Sequence, residues 1–271
     1  MDRLAASGRF LFASVEMQDE VGISAAAARS VLSRLAAQKL VASPARGLYL
    51  ILPPEYRSLG ALPAAHFVPE LMGRLGQRYY VGLLSAAQYH GAGHQRPQAF
   101  QVVLQKNRRP VRCGRVHVAF VARRRMAEVP THKFNTPYGS ILVSSPEATA
   151  LDLVGYAARS GGLANVVGVL ADLVAGIQPA DLVLAARTAP VSWAQRLGHL
   201  LEALGAAGKA EPLHAYVCEH AREPALLGPR RSGLQIRRDA RWKLDVNVEV
   251  EAQVDPAPLH PAVAPRGSLG G

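Results

Sequence analysis

The sequence predicts an α/β (α+β) protein in two parts: a small helical unit closed by a β-hairpin, then a mixed α/β unit with a helical subdomain. Three observations carry this expectation. Residues 14–51 read as helix, turn, helix and hairpin. Residues 100–143 hold short β-branched runs separated by polar turns. From Leu163 onward, apolar residues recur at helical spacing between glycines and prolines. The implied divisions are 1–55, 56–254 and a tail, 255–271.

Residues 1–13 carry Leu4 and the run Phe10-Leu11-Phe12, read as a short helix and an apolar strand-like step. Ser14 is expected to cap a short helix reaching Val21, and Gly22 suits a tight turn that needs a residue free of Cβ strain. Ser24 is a good N-cap, because its hydroxyl can accept from an orphan amide of the first turn, and the alanine run behind it has high helix propensity. On a helical wheel Ala28, Val31, Leu32 and Leu35 fall on one side, and Arg29, Ser30, Ser33 and Arg34 on the other. Leu40-Val41 and Arg46–Ile51 follow as a small β wing. The whole reads as a winged helix-turn-helix whose second helix enters a DNA major groove. Arg29 and Arg34 are then candidates for guanine edges or phosphates, Ser24, Ser30 and Ser33 for polar contacts, and Arg46 for the backbone or minor groove at the wing tip.

After the wing, Pro53-Pro54 cannot continue a β ladder, and Glu55–Ala65 is expected to be irregular. A helix is read from Glu70 (Leu71, Met72, Leu75), then a second from Tyr79 to Gly91. Phe100–Gln105 and Val116–Ala122 read as strands. Between them lie Lys106, Arg108, Arg109, Arg112 and Arg115, and Arg123-Arg124-Arg125 follow the second. These arginines and the lysine form a second basic area suited to DNA phosphates. Phe134–Val143 reads as a hairpin turning at Pro137-Tyr138-Gly139. In Ser144-Ser145-Pro146-Glu147 a serine caps a helix with proline in its first turn. Helices are expected over Leu163–Val174, Pro179–Arg187 and Trp193–Leu204. Trp242–Val250 alternates strictly and predicts a strand, and Asp255–Gly271 is expected to be a poorly ordered tail.

With 271 residues and 49% apolar composition the chain can bury a core, and 31 basic against 20 acidic residues favour polyanionic partners. No apolar run approaches the roughly 18 to 20 residues of a membrane span, and Met1-Asp2-Arg3-Leu4 does not open a secretory signal. A cytoplasmic location and no membrane partner are therefore expected. Cys113 and Cys218 lie far apart and read as reduced structural thiols. His90 and His94 have ligand-like spacing, but Gly91 and Gly93 end the helix between them, so they read as turn histidines. Tyr79, Tyr80, Tyr89 and Tyr138 are expected to pack in the core rather than stack on bases. Asp245, Glu249 and Glu251 near Lys243 faintly resemble a restriction-type nuclease core, which keeps a metal-dependent nuclease-like enzyme as an alternative. No phosphate loop, nucleophile elbow or Cys-x-x-Cys pair is present, and no cofactor, catalytic residue or metal ligand is expected.

Gly47-Leu48-Tyr49, Pro53-Pro54-Glu55-Tyr56, Tyr79-Tyr80-Val81-Gly82, Asn135-Thr136-Pro137-Tyr138-Gly139 and Ser145–Asp152 together resemble the AbiEi-type antitoxin and transcriptional regulator family of bacterial abortive-infection (type IV toxin–antitoxin) systems. The resemblance covers most of residues 10–250 and is most specific from Asn135 to Asp152. It implies a DNA-binding antitoxin, not an enzyme, that binds inverted repeats in its own promoter and represses the operon. It further implies a C-terminal domain that counteracts a nucleotidyltransferase-like toxin in phage defence, functionally and without a stable complex. A plain regulator lacking antitoxin activity is the remaining alternative.

Overall fold

The computed structural model describes residues 10–93, 97–230 and 235–248. The expectations for Leu4, His94, Glu249, Glu251 and the tail lie outside them.

The chain opens with β1 (Leu11–Ala13), α1 (Ser14–Val21) and α2 (Ala25–Ala37), followed by β2 (Val41–Ala45) and β3 (Leu48–Ile51). The three strands form an antiparallel sheet in the order β1-β3-β2. Ser14 does not cap α1, contrary to expectation. Ala13 holds that position and donates its N–H to the Glu16 carboxylate at 3.0 Å, while the Ser14 N–H is drawn to Gly47 O at 2.8 Å in the hairpin turn. Ser24 does cap α2, accepting from the Ala27 N–H at 3.3 Å.

Alternation along these strands splits their side chains between two cores. Phe12 and Ile51 pack with Leu32 of α2 and Val41. Leu11, Leu50 and Leu52 point the other way, onto Phe67, Val68 and Leu71 of α3 (Ala64–Arg74) and onto the main sheet. Apolar packing thus continues from residues 10–52 into the larger part of the chain. α3 begins at Ala64 rather than Glu70 and runs through Pro69, because Phe67, Val68, Leu71 and Met72 share one buried stripe that outweighs the amide lost at the proline.

Tyr80–Val81 is a strand, β4, which corrects the helix read from Tyr79. Both residues are buried and pair with Val103 and Val102, and the helix α4 (Leu83–Tyr89) starts only after Gly82. With β5 (Phe100–Leu104), β6 (Val111–Cys113), β7 (Val116–Ala122), β8 (Thr131–Thr136) and β9 (Gly139–Ser144), it builds a six-stranded sheet in the order β6-β7-β5-β4-β9-β8. β5–β7 and β4–β9 are parallel; the other neighbours are antiparallel. The β8–β9 hairpin turns at Pro137-Tyr138, between the paired Thr136 and Gly139.

Ser145 caps α5 (Pro146–Gly155) by accepting from the Ala148 N–H at 3.2 Å, as its sequence predicts. α5 is buried along nearly its whole length. Around it pack α6 (Leu163–Leu173), α7 (Pro179–Ala186), α8 (Val191–Ala203) and α9 (Ala207–His220), which share one large core. α9 was not anticipated; Pro212 and scattered polar residues hide its apolar stripe of Ala210, Leu213 and Val217. A small sheet of β10 (Ala225–Leu226), β11 (Arg237–Asp239) and β12 (Leu244–Val246) follows and is the last among the described residues. The strand expected from Trp242 begins at Leu244. Lys243 takes a left-handed φ of 47°, and Trp242 turns into the core against α8 at Gly198. No helix of the described residues is long and apolar enough to cross a membrane.

Candidate nucleic-acid interface

α2 is pinned from beneath by Ala28 and Leu32, which are fully buried, so its outer face is left to solvent. Arg29, Ser30, Ser33 and Arg34 are all exposed there, beginning at the Ser24 cap, and Arg46 is exposed at the hairpin turn. The Ser24 hydroxyl accepts one hydrogen bond at the cap and keeps its donor hydrogen and a second lone pair for another partner. The helix N-terminus lies at the same end, where unpaired amides and the helix dipole favour anions.

The structure places Lys106, Arg109, Arg112 and Arg115 in solvent around β6, the edge strand of the main sheet. Arg108 is half-buried, with its guanidinium 5.9 Å from the Phe120 ring centroid. This edge is not remote from the N-terminal unit. β2 lies against β6, Ala42 and Ala45 share a core cluster with Val111 and Cys113, and the Arg115 N–H donates to Leu59 O at 2.8 Å. Gly114 permits this approach: its φ is +54°, and a Cβ there would stand 2.2 Å from Leu59 O.

A residue absent from the sequence reading holds the two parts together from the other side. Arg74 of α3 donates to Glu16 of α1 at 2.9 Å, to Leu11 O at 3.1 Å and to Glu70 at 3.1 Å. The Glu70–Arg74 pair has helical i,i+4 spacing and was legible; its reach to Glu16, across 58 positions, was not.

Of the Arg123-Arg124-Arg125 triplet, only the last two face solvent. Arg123 is 4% exposed and forms a buried ion pair with Asp152 of α5, which corrects its assignment to DNA. Its guanidinium also donates to the Tyr80 hydroxyl at 3.0 Å and to Thr188 Oγ1 at 2.8 Å, and lies 5.3 Å from the Trp193 ring centroid. Tyr80 in turn donates to Asp152 at 2.9 Å. The physical reason is the strand's alternation at the end of β7, which turns one arginine of the three inward, where a carboxylate waits. Burial pushes the Asp152 carboxyl up to about 6 against the opposing pull of Arg123 and the Tyr80 hydroxyl, and drives the Tyr80 phenol up as well. The one sequence signal for this pair is an aspartate set between apolar neighbours in Ala150-Leu151-Asp152-Leu153-Val154. Arg125 is held by Glu128 and by Arg187 O, the latter at 2.8 Å.

Tyr80 is buried, Tyr79 and Tyr89 are half-buried against the sheet, and the Tyr138 ring sits 4.4 Å from that of Phe10. His90 donates its Nε2 proton to Ser144 O at 2.7 Å, a structural bond of the α4 terminus. Cys113 is buried, with its thiol pushed up to about 11 by desolvation, and Cys218 is exposed; neither is in a disulfide. Asp245 pairs with Arg238 at 2.7 Å, and Lys243 donates to Ala221 O at 2.8 Å.

These features define a mixed α/β protein in which α2 presents a cationic outer face and a basic sheet edge packs against β2 of the same N-terminal unit. Residues 80–203, from β4 through α8, match the family model described as AbiEi antitoxin C-terminal domain. That segment is similar to the AbiEi-type antitoxin family, and the match supports an antitoxin role in a toxin–antitoxin system. The crystal structure of the RV2827C protein from Mycobacterium tuberculosis shares the fold, with a TM-score of 0.63 at 18% identity over 90% of this chain and 88% of that one. No curated protein matches the sequence.

Proposed function

We propose that residues 10–52 act as a winged helix-turn-helix that binds inverted repeats in the promoter of the chain's own operon and represses it. The AbiEi domain behind it counteracts a nucleotidyltransferase-like toxin, functionally and without a stable complex. The observation that carries the DNA reading is the outer face of α2. Arg29, Ser30, Ser33 and Arg34 are exposed from the cap onward, while the opposite face is locked to the core by Leu32. Arg46 and the basic edge at β6 extend the cationic surface for phosphates on either side. Inverted repeats require two chains related by a two-fold axis.

The test is a mobility-shift titration of the full chain on its own upstream DNA against a scrambled duplex, at two salt concentrations and with a metal chelator. Preferential binding that survives the chelator is expected. Equal binding to both duplexes rejects sequence reading by α2, and cleavage that the chelator abolishes points instead to a metal-dependent nuclease. Growth rescue of cells expressing the neighbouring toxin separates an antitoxin from a plain regulator.

A further inference from the structure

A cavity of about 560 Å³ opens where β7 ends, between Arg124 and Arg125 on one side and Tyr156, Ala189, Pro190 and Trp193 on the other. Neither the winged-helix reading nor the antitoxin family assigns it a role. We infer that this cavity binds a small anionic ligand with a planar apolar body, of the nucleoside phosphate class.

Its volume falls within the range that encloses a small organic ligand, roughly 300–1,000 Å³. Its apolar wall is held in place before any ligand arrives. The Trp193 indole lies so close over Gly155 that a Cβ there would stand 2.2 Å from the ring. Tyr156 meets the indole edge-on at 5.0 Å, and its hydroxyl donates to Ala122 O at 2.8 Å. Beneath them the buried Arg123, braced by Asp152, Tyr80 and Thr188, fixes both Trp193 and the Thr188–Pro190 loop.

The polar side of the cavity is of one sign. None of its lining residues carries a carboxylate. Arg125 is oriented by Glu128 and by Arg187 O, whereas Arg124 is exposed and has no ion-pair partner among the described residues. Guanidinium groups recognise phosphate by paired, charge-assisted hydrogen bonds, and an aromatic and proline wall accepts a flat ring. A bare inorganic anion would leave that wall unused, and a neutral apolar ligand would leave the arginines unused.

The test is calorimetric titration of the purified full chain with ATP, GTP, CTP and UTP in turn, with the four nucleosides and inorganic triphosphate as partial probes. At least one nucleotide is expected to saturate a single site and to bind at least tenfold more tightly than inorganic triphosphate or its own nucleoside. Arg124→Glu is expected to weaken that binding tenfold or more. Ala189→Phe, which fills the cavity without altering charge, is expected to abolish it with the melting temperature preserved. Arg109→Glu, at the β6 edge, is expected to leave it unchanged. The inference is overturned by the absence of saturable binding to any of the four up to 1 mM, or by inorganic triphosphate binding as tightly as the nucleotides. It is equally overturned if Ala189→Phe binds as the parent does, or if Arg109→Glu weakens binding as much as Arg124→Glu.

Discussion

At the scale of single residues, burial divides the arginines into two kinds. Arg29, Arg34 and Arg109 stand in solvent, and their removal changes what the surface attracts. On the winged-helix reading, Arg29→Ala or Arg34→Ala is expected to erase the preference for operator over random DNA. Arg109→Ala is expected to weaken both alike and to lower the slope of log affinity on log salt by about one. Binding isotherms on the two duplexes at several salt concentrations decide this, and equal losses for all three variants would defeat the assignment of base reading to α2. Arg123 is of the other kind. Arg123→Met leaves Asp152 buried without its counter-charge, at a cost of about 3–5 kcal/mol. The sign of the pH dependence follows from the raised carboxyl. The folded value, about 6, lies above the ordinary 3.8, so the stability this group contributes is complete below 3.8 and is lost as pH rises through about 6. Removing Arg123 raises the folded value further. The deficit of the variant is therefore expected to be large at pH 8 and smaller at pH 5 in urea unfolding; equal deficits at the two would contradict it.

At the scale of elements, the same substitution has opposite effects in two helices. Alanine is favoured over glycine inside a helix by about 1 kcal/mol. In α6, Gly168 is exposed and a Cβ there meets nothing within 4 Å, so Gly168→Ala is expected to stabilise by roughly 0.5–1 kcal/mol. In α8, a Cβ at Gly198 would stand 2.0 Å from the buried Trp242 ring, and overpacking costs about 1–3 kcal/mol, which outweighs the propensity gain. Gly198→Ala is expected to lower the melting temperature and Gly168→Ala to raise it. The contrast also explains why α8 and Trp242 read poorly together from the sequence. Trp242 looked like the first residue of an alternating strand, and only the helix lying on its ring shows why the chain turns there instead.

At the scale of the molecule, the N-terminal unit is fastened to the rest by apolar contact and by the charged side chain of Arg74. Leu11, Leu50 and Leu52 cover Phe67, Val68 and Leu71, and Arg74 bridges α3 to Glu16 and Leu11 O. Cutting near residue 60 would uncover that apolar face, so the division of labour between DNA binding and toxin neutralisation is best tested in the full chain. The Arg29→Ala/Arg34→Ala double variant is expected to lose operator binding in vitro yet still rescue growth of cells expressing the toxin. Loss of rescue in a stably folded variant would tie neutralisation to DNA binding. Arg74→Ala is expected to cost roughly 1–3 kcal/mol and to loosen the docking of α1, read as faster amide exchange in residues 11–21.

Local chemistry determined much of this protein before any tertiary contact was known. The serine caps at Ser24 and Ser145, the turn at Gly22, the β8–β9 hairpin and the helices from Leu163 to Ala203 depend on side chains within a few positions of one another. The exposed cationic face of α2 was legible for the same reason, since helical periodicity alone separates Arg29 and Arg34 from Leu32. Tertiary structure decided whatever rests on partners distant in sequence. It made Tyr80–Val81 a strand by placing it between β5 and β9, carried α3 through Pro69 over a buried stripe, and turned Arg123 from solvent toward Asp152. It also brought the β6 edge beside β2 and enclosed the cavity at the end of β7. A short-range pattern records which face of an element is apolar; which charge that face meets is set only by the chain that folds back upon it.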